Sequence, residues 1–170
     1  MNKSTKKIVL NGIMIALVCM ATMVIQIPMP GTNGYINIGD SVIFISSILF
    51  GPITGMLSGG IGSMLADILS GYAHWAIFTL LIKGIEGYLV GILIKNNITI
   101  LKSIFSTLIG VLVMVIGYFL AGIVLKGSAL ISLASVPGNL IQGTVSMLIS
   151  ILISNSLKKV KYINKFKSNL

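Results

Sequence analysis

Asp67, Lys83 and Glu86 stand in strongly apolar surroundings, within a stretch from Tyr35 to Leu93 that also holds Asp40, the single His (His74) and the single Trp (Trp75). Flanking that stretch, the chain is apolar for about the length of a bilayer crossing, from Ile8 to Ile27 and again from Ile100 to Leu125. A spanning helix needs ~20 such residues. In hydrocarbon only helices and closed barrels satisfy their own backbone groups. The runs here are long and do not alternate with a period of two, which argues for helices. The chain is therefore expected to be an all-α membrane protein of one domain. An ionisable group at membrane depth is costly and marks a functional site by default, so the remaining helices read as a wall around these three groups. Composition agrees: 55% of residues are hydrophobic and 9% charged, where soluble chains carry about 25% charged residues.

Charge placement sets the expected topology. A net charge of +9 would suit a nucleic-acid partner, but all 12 basic residues are Lys and most flank apolar spans. Such clusters mark the cytoplasmic side of a membrane and touch anionic headgroups. Spans are expected at about residues 6–27, 40–51, 53–70, 75–95, 100–125 and 130–157. The first, with no A-x-A site after it, reads as a membrane helix and not as a signal peptide. Pro28, Pro30 and Gly31 end it, and Met29–Gly39 reads as a turn-rich loop. Asp40 is a plausible N-cap for the second helix. That helix would be only ~16–20 Å long, short of the ~30 Å hydrocarbon core. Five spans must therefore be weighed against six. Six spans put Lys3, Lys6, Lys7, Lys95, Lys102, Lys158, Lys159, Lys161, Lys165 and Lys167 on one side, leaving Lys126 outside and Lys83 in the membrane. Five spans would strand one terminal cluster outside, against the positive-inside rule. Six spans with both termini cytoplasmic is the expectation. The single Cys19 excludes an intramolecular disulfide.

Three helices carry polar or small stripes at helical spacing. They are Gly60, Ser63, Asp67 and Ser70; then Thr79, Lys83, Glu86 and Val90; then Ser132, Ser135, Asn139, Gln142 and Ser146. Small residues let helices pack closely and need no ligand to explain them. So many polar groups in lipid do need a reason. Counted from the expected outer ends, Glu86 lies ~16 Å deep and Asn139 ~13 Å. Both share the outer half of the membrane with Asp67. Lys83 and Glu86, at i and i+3, are expected to pair. Glu86, Lys83, Asn139 and Gln142 are the candidate ligand contacts. Asp67, His74, Trp75, Tyr35, Asn37 and Asp40 are candidate supporting or gating groups, with the loops at residues 29–39 and 72–75 as a roof.

Other chemistry is excluded. One His leaves no HExxH or multi-His metal site, and neither a Walker motif nor GxSxG occurs. Gly59–Ser63 (GGIGS) is not followed by Lys and reads as helix packing. No metal or cofactor is expected, the chain is not expected to be an enzyme, and an active importer of this kind needs an ATP-hydrolysing partner. The main alternative is a stand-alone proton- or ion-coupled transporter or channel that uses Asp67, Lys83 and Glu86 as a relay. A lipid transferase lacks the paired acidic motif and metal ligands.

The block GYINIGDSVIFISSILFGPITGMLSGGIGSMLADILSGYAHWAIFTLLIKGIEGYLVG, followed by PGNLIQG (Pro137–Gly143), resembles the substrate-binding S component of energy-coupling factor (ECF) vitamin transporters. The similarity covers about residues 5–157. It implies a six-helix fold that binds one vitamin or precursor near the outer face of the bacterial plasma membrane, and that joins a transmembrane T component and two ATPases. It also implies that the first helix presents small residues to the T component. Gly12 and Ala16 match that spacing, whereas position 20 is Met. The nearest branches are those for riboflavin, pyridoxine or hydroxymethylpyrimidine. A small nitrogen heterocycle suits an acidic cluster better than folate, whose glutamate it would repel.

Overall fold

A computed structural model describes residues 2–29, 34–94 and 98–158. The helix α1 (Lys3–Val24) leads into a short antiparallel hairpin, β1 (Gln26–Met29) with β2 (Gly34–Asn37). Then come α2 (Gly39–Phe50), α3 (Pro52–Leu69), α4 (Ala76–Ile94), α5 (Ile100–Lys126), the five-residue α6 (Ala129–Leu133) and α7 (Val136–Leu157). With α6 and α7 taken as one interrupted helix, this is the expected six-helix bundle. Lys95, Lys159, Lys161, Lys165 and Lys167, on which part of the topology argument rests, and Pro30 and Gly31, expected to end the first helix, lie outside the described residues.

Among the described residues, four helices are long and apolar enough to cross a membrane: α1, α4, α5 and the combined Ala129–Leu157 segment. Their outward faces are aliphatic, with Ile77, Leu101 and Leu152 at 69%, 80% and 70% exposure. In water such surfaces would aggregate; in a bilayer they meet chains of their own kind. The helix α2 differs. It has 12 residues, nine of them buried, and packs against α1, α3, α4 and α7. It need not match the thickness of the bilayer, because other helices pack around it.

Three local features depart from the expected layout. First, the loop after α1 is a hairpin. Its backbone pairing, Gln26 with Asn37 through Met29 with Gly34, satisfies N–H and C=O groups that an irregular loop would leave to water. Second, Asp40 is not the N-cap of α2. Ile38 holds that position, without a side-chain cap, and the Asp40 side chain turns inward to partners worth more than a backbone N–H. Third, the last span is interrupted. Ala134 N–H donates to Ile131 and Ser135 N–H to Ser132 in tight i−3 turns. Pro137 follows at the start of α7; with no N–H to give, it cannot continue the ladder back to Leu133.

The helices α3 and α4 meet backbone to backbone. A Cβ built on Gly59 would sit 2.5 Å from the Lys83 carbonyl, and one on Gly87 would collide with the Gly55 carbonyl. This close approach is what small-residue faces provide in membranes. It brings the polar stripe of α3 beside that of α4.

Candidate functional site

The three polar stripes all face inward. Ser63, Asp67, Thr79, Lys83, Glu86, Ser132, Ser135, Asn139, Gln142 and Ser146 are all buried. At the hairpin end of the bundle Ser63, Asp67, Thr79, Lys83, Ser135, Asn139 and Gln142 line a cavity with ≈ 560 Å³ of empty space, its open mouth included. The hairpin contributes Met29, Gly34, Tyr35 and Asn37 to its lining; α3 gives Ser63 and Asp67; α4 and the turn before it give Trp75, Thr79 and Lys83. Tyr118 comes from α5, and Ser135, Asn139 and Gln142 from the α6–α7 junction and α7.

Two polar centres bound this space. The deeper one is built on Lys83. Its ammonium donates to Asp40 Oδ1 at 2.5 Å. Glu86 Oε2 lies 3.0 Å from the same ammonium, at ion-pair distance, but at an angle that leaves both of its oxygens without a hydrogen bond. Asp40 Oδ2 accepts from Gln142 Nε2 at 2.7 Å. Gln142 Oε1 in turn accepts from the Asn37 backbone N–H at 2.8 Å and faces its side-chain amide at 3.4 Å. Asn37 Oδ1 closes the chain by accepting from Gly39 N–H. The Met114 sulfur and the Tyr118 ring, 5.5 Å from Nζ, fill the remaining directions around the ammonium. A buried charge is tolerated only with partners of this quality.

The second centre lies at the roof. Tyr35 donates to Asp67 Oδ1 at 2.7 Å, and Gln26 Nε2 donates to Ser70 Oγ at 2.9 Å, so both strands are pinned to the end of α3. Burial, reinforced by the Asp67 carboxylate, raises the Tyr35 phenol above its ordinary range, so it stays a donor. An aromatic arc continues outward. The Tyr35 and Tyr72 ring centroids are 4.8 Å apart, followed by His74, Trp75 and then Tyr118 edge-on to Trp75. Lys126 Nζ caps the Trp75 ring at 5.7 Å, a favourable cation–π arrangement.

This geometry sorts the residues singled out from sequence. Lys83, Asn139, Gln142, Asp67, Trp75, Tyr35 and Asn37 line one cavity. Asp40 and Glu86 do not line it; both are fully buried behind Lys83. His74 is exposed on the arc and also does not line it. Asp67 does not join Lys83 and Glu86 in one cluster, since Asp40 and Glu86 are the ion-pair partners of Lys83 among the described residues. The cause is position along the axis: Asp67 ends α3 beneath the hairpin, while Lys83 reaches toward the start of α2. Sequence reasoning missed Thr22 and Tyr118, and took in Met29 and Gly34 only as part of the roof loop. Of these Tyr118 left a signal, a lone phenol deep in the apolar run of α5, where a hydroxyl needs a partner; it donates to Thr79 Oγ1 at 3.1 Å.

Comparison with known proteins decides the family. The family model described as "ECF-type riboflavin transporter, S component" matches residues 2–159. The chain belongs to this family. The S component is 29% identical over 167 residues to the thiamine precursor transporter HmpT of Lactococcus lactis subsp. cremoris, covering 98% of this chain and 96% of that one. It is 44% identical over 110 residues to an uncharacterized protein of Pyrococcus woesei, covering 65% and 74% of the two chains. A solved structure described as "Structure and mechanism of the S component of a bacterial ECF transporter" superposes with a TM-score of 0.71 at 20% identity, over 92% of this chain and 97% of that one. The fold is thus an S-component fold in a multi-pass membrane protein. Family and fold are those of a vitamin-binding transporter subunit and not of an enzyme.

Proposed function

We propose that this S component captures a small nitrogen heterocycle, a vitamin or vitamin precursor, in the cavity beneath the hairpin and hands it to an ATP-driven importer. The observation that carries this reading is the convergence in one cavity of an ammonium (Lys83), a carboxylate (Asp67), two amides (Asn139 and Gln142) and a flat aromatic (Trp75). A heteroaromatic ring offers an apolar face for Trp75 and an edge that alternates donors and acceptors. Asn139 is 5% exposed, reaches the cavity from α7, and can both donate and accept. Among the candidate ligands we favour a pyrimidine precursor of thiamine, because the similarity to HmpT runs over nearly the whole chain; riboflavin, named by the family model, and pyridoxine are the comparison ligands.

In this reading both termini are cytoplasmic and the hairpin faces outward, so the cavity fills from outside. A T component docks along α1, where Gly12 and Ala16 are exposed on the outer face and no atom lies within 4 Å of a Cβ built at Gly12. Two ATPases complete the machine. Gly12→Leu with Ala16→Leu should abolish uptake in cells and leave ligand binding intact, since bulky residues block helix approach far from the cavity; unchanged uptake would move the docking face elsewhere. The decisive experiment on the ligand is mass spectrometry of small molecules retained by the purified chain, followed by titration with hydroxymethylpyrimidine, riboflavin and pyridoxine. Retention and saturable binding of one of these supports the reading. Ion flux through the chain alone in liposomes, with no heterocycle bound, would replace it with an ion-coupled carrier.

A further inference from the structure

Lys83 and Gln142 both line the cavity, yet neither is oriented by its own helix alone. Both end on Asp40, a residue of α2 that is 1% exposed and does not line the cavity. Each carboxylate oxygen takes one of them: Oδ1 accepts from the ammonium and Oδ2 from the amide nitrogen. An ionised carboxylate only accepts, so it dictates which end of the Gln142 amide faces it. The amide oxygen is thereby sent the other way, where it accepts from Asn37 N–H in the hairpin.

We propose that Asp40 is a positioning residue for ligand capture. It aims the Lys83 ammonium and sets the polarity of the Gln142 amide at the cavity wall, and through Gln142 it ties the hairpin roof to the buried ion pair. The inference rests on the cavity being the ligand site. Its content is a directed chain, Lys83 to Asp40 from one side and Asn37 to Gln142 to Asp40 from the other, in which each Asp40 oxygen accepts from one donor. Glu86 cannot replace Asp40 in it, because Glu86 reaches only the ammonium and makes no hydrogen bond there.

The directed chain has one isoelectronic alternative. In Asp40→Asn combined with Gln142→Glu, acid and amide trade places. The new amide oxygen accepts from Lys83, its nitrogen donates to the new carboxylate, and that carboxylate accepts from Asn37. Net charge is preserved and each group keeps a partner, with the bond between positions 40 and 142 running the opposite way. Each single substitution breaks the chain: Asp40→Asn sets an amide nitrogen against Gln142 Nε2, so that Gln142 must turn its oxygen away from Asn37 to meet it, and Gln142→Glu sets two carboxylates against each other.

The test is backbone hydrogen exchange at Asn37 in the purified full chain, with no ligand added and with α5 amides as internal reference. Each single variant should speed exchange at Asn37 by at least about tenfold over that reference, and the double variant should return to within about threefold of wild type. Singles that leave Asn37 protected overturn the proposal, and so does a double variant that exchanges as fast as the worse single. If Asp40→Asn alone does not fold, Gln142→Glu and the double variant decide the matter. The readout involves no ligand, so failure here leaves the transport reading standing. Failure to find a retained heterocycle would remove the ligand role and leave the chain of bonds intact.

Discussion

The two polar centres of this protein differ in how many elements hold them. The Lys83 centre draws on the hairpin, α2, α4, α5 and α7, which share one network of ion pairs and hydrogen bonds. The Asp67 centre rests on the end of α3 and on the hairpin, through Tyr35 to Asp67 and Gln26 to Ser70, with Thr79 of α4 beside the carboxylate. Both place ionisable groups in apolar helices, so burial alone does not separate their roles. What separates them is connectivity. A centre shared by five elements resists change, because moving one of those that carry its charges leaves a charge unpaired in the others. A centre shared with a short two-stranded hairpin yields more readily, since such a hairpin has little stability of its own. The comparison leads to an expectation: the deep centre holds the shape of the cavity, and the roof centre is the more easily displaced.

The sharpest way to break the comparison is Lys83→Met. It leaves Asp40 and Glu86 buried together with no cation between them, and losing one partner of a buried pair costs ~3–5 kcal/mol. Thermal unfolding in detergent should show a large drop or no folded protein. A stable variant would mean that the deep centre is not the scaffold.

Asp67→Asn probes the roof and should be milder. Tyr35 keeps a neutral acceptor but loses a charged one, a change of ~1 kcal/mol, so unfolding should shift little. Ligand affinity should fall by about tenfold, because the same carboxylate lines the cavity and anchors its cover. Trp75, the single Trp and a cavity residue, supplies a fluorescence readout of binding. If stability fell as far as in Lys83→Met, the distinction between the two centres would collapse.

Glu86→Gln should have the smallest effect. From sequence alone Glu86 is the sharpest candidate for a ligand contact, being the deepest carboxylate and paired at i, i+3 with Lys83. In the structure Lys83 stands between it and the cavity and keeps Asp40 as a partner. We expect affinity within about threefold of wild type and a stability change under ~1 kcal/mol. A tenfold loss of affinity would return Glu86 to the binding surface.

Much of the fold was legible because it depends on local properties. Run length and mean hydropathy specify membrane helices, and the 3–4 spacing of polar residues on α3, α4 and α7 specifies which face turns inward. Those stripes are buried as their period implies. The hairpin was not legible, because two four-residue strands carry too little pattern to distinguish them from a polar loop. The break before α7 was signalled by Pro137, but the same proline is also compatible with a kinked, continuous helix.

By itself, then, the sequence determined a bundle of apolar helices with Asp67, Lys83, Asn139 and Gln142 facing its interior, since hydrophobic burial and helical period act within each segment. It did not determine which carboxylate Lys83 takes. The i, i+3 spacing on α4 makes Glu86 the local choice, and Glu86 does lie within 3.0 Å. Asp40, 43 positions away, makes the hydrogen bond, because close packing of α2 against α4 and α7 brings its carboxylate between an ammonium and an amide. Only the tertiary structure decided that, for an ion pair buried away from water goes to the acceptor whose geometry and second partner best replace the lost hydration.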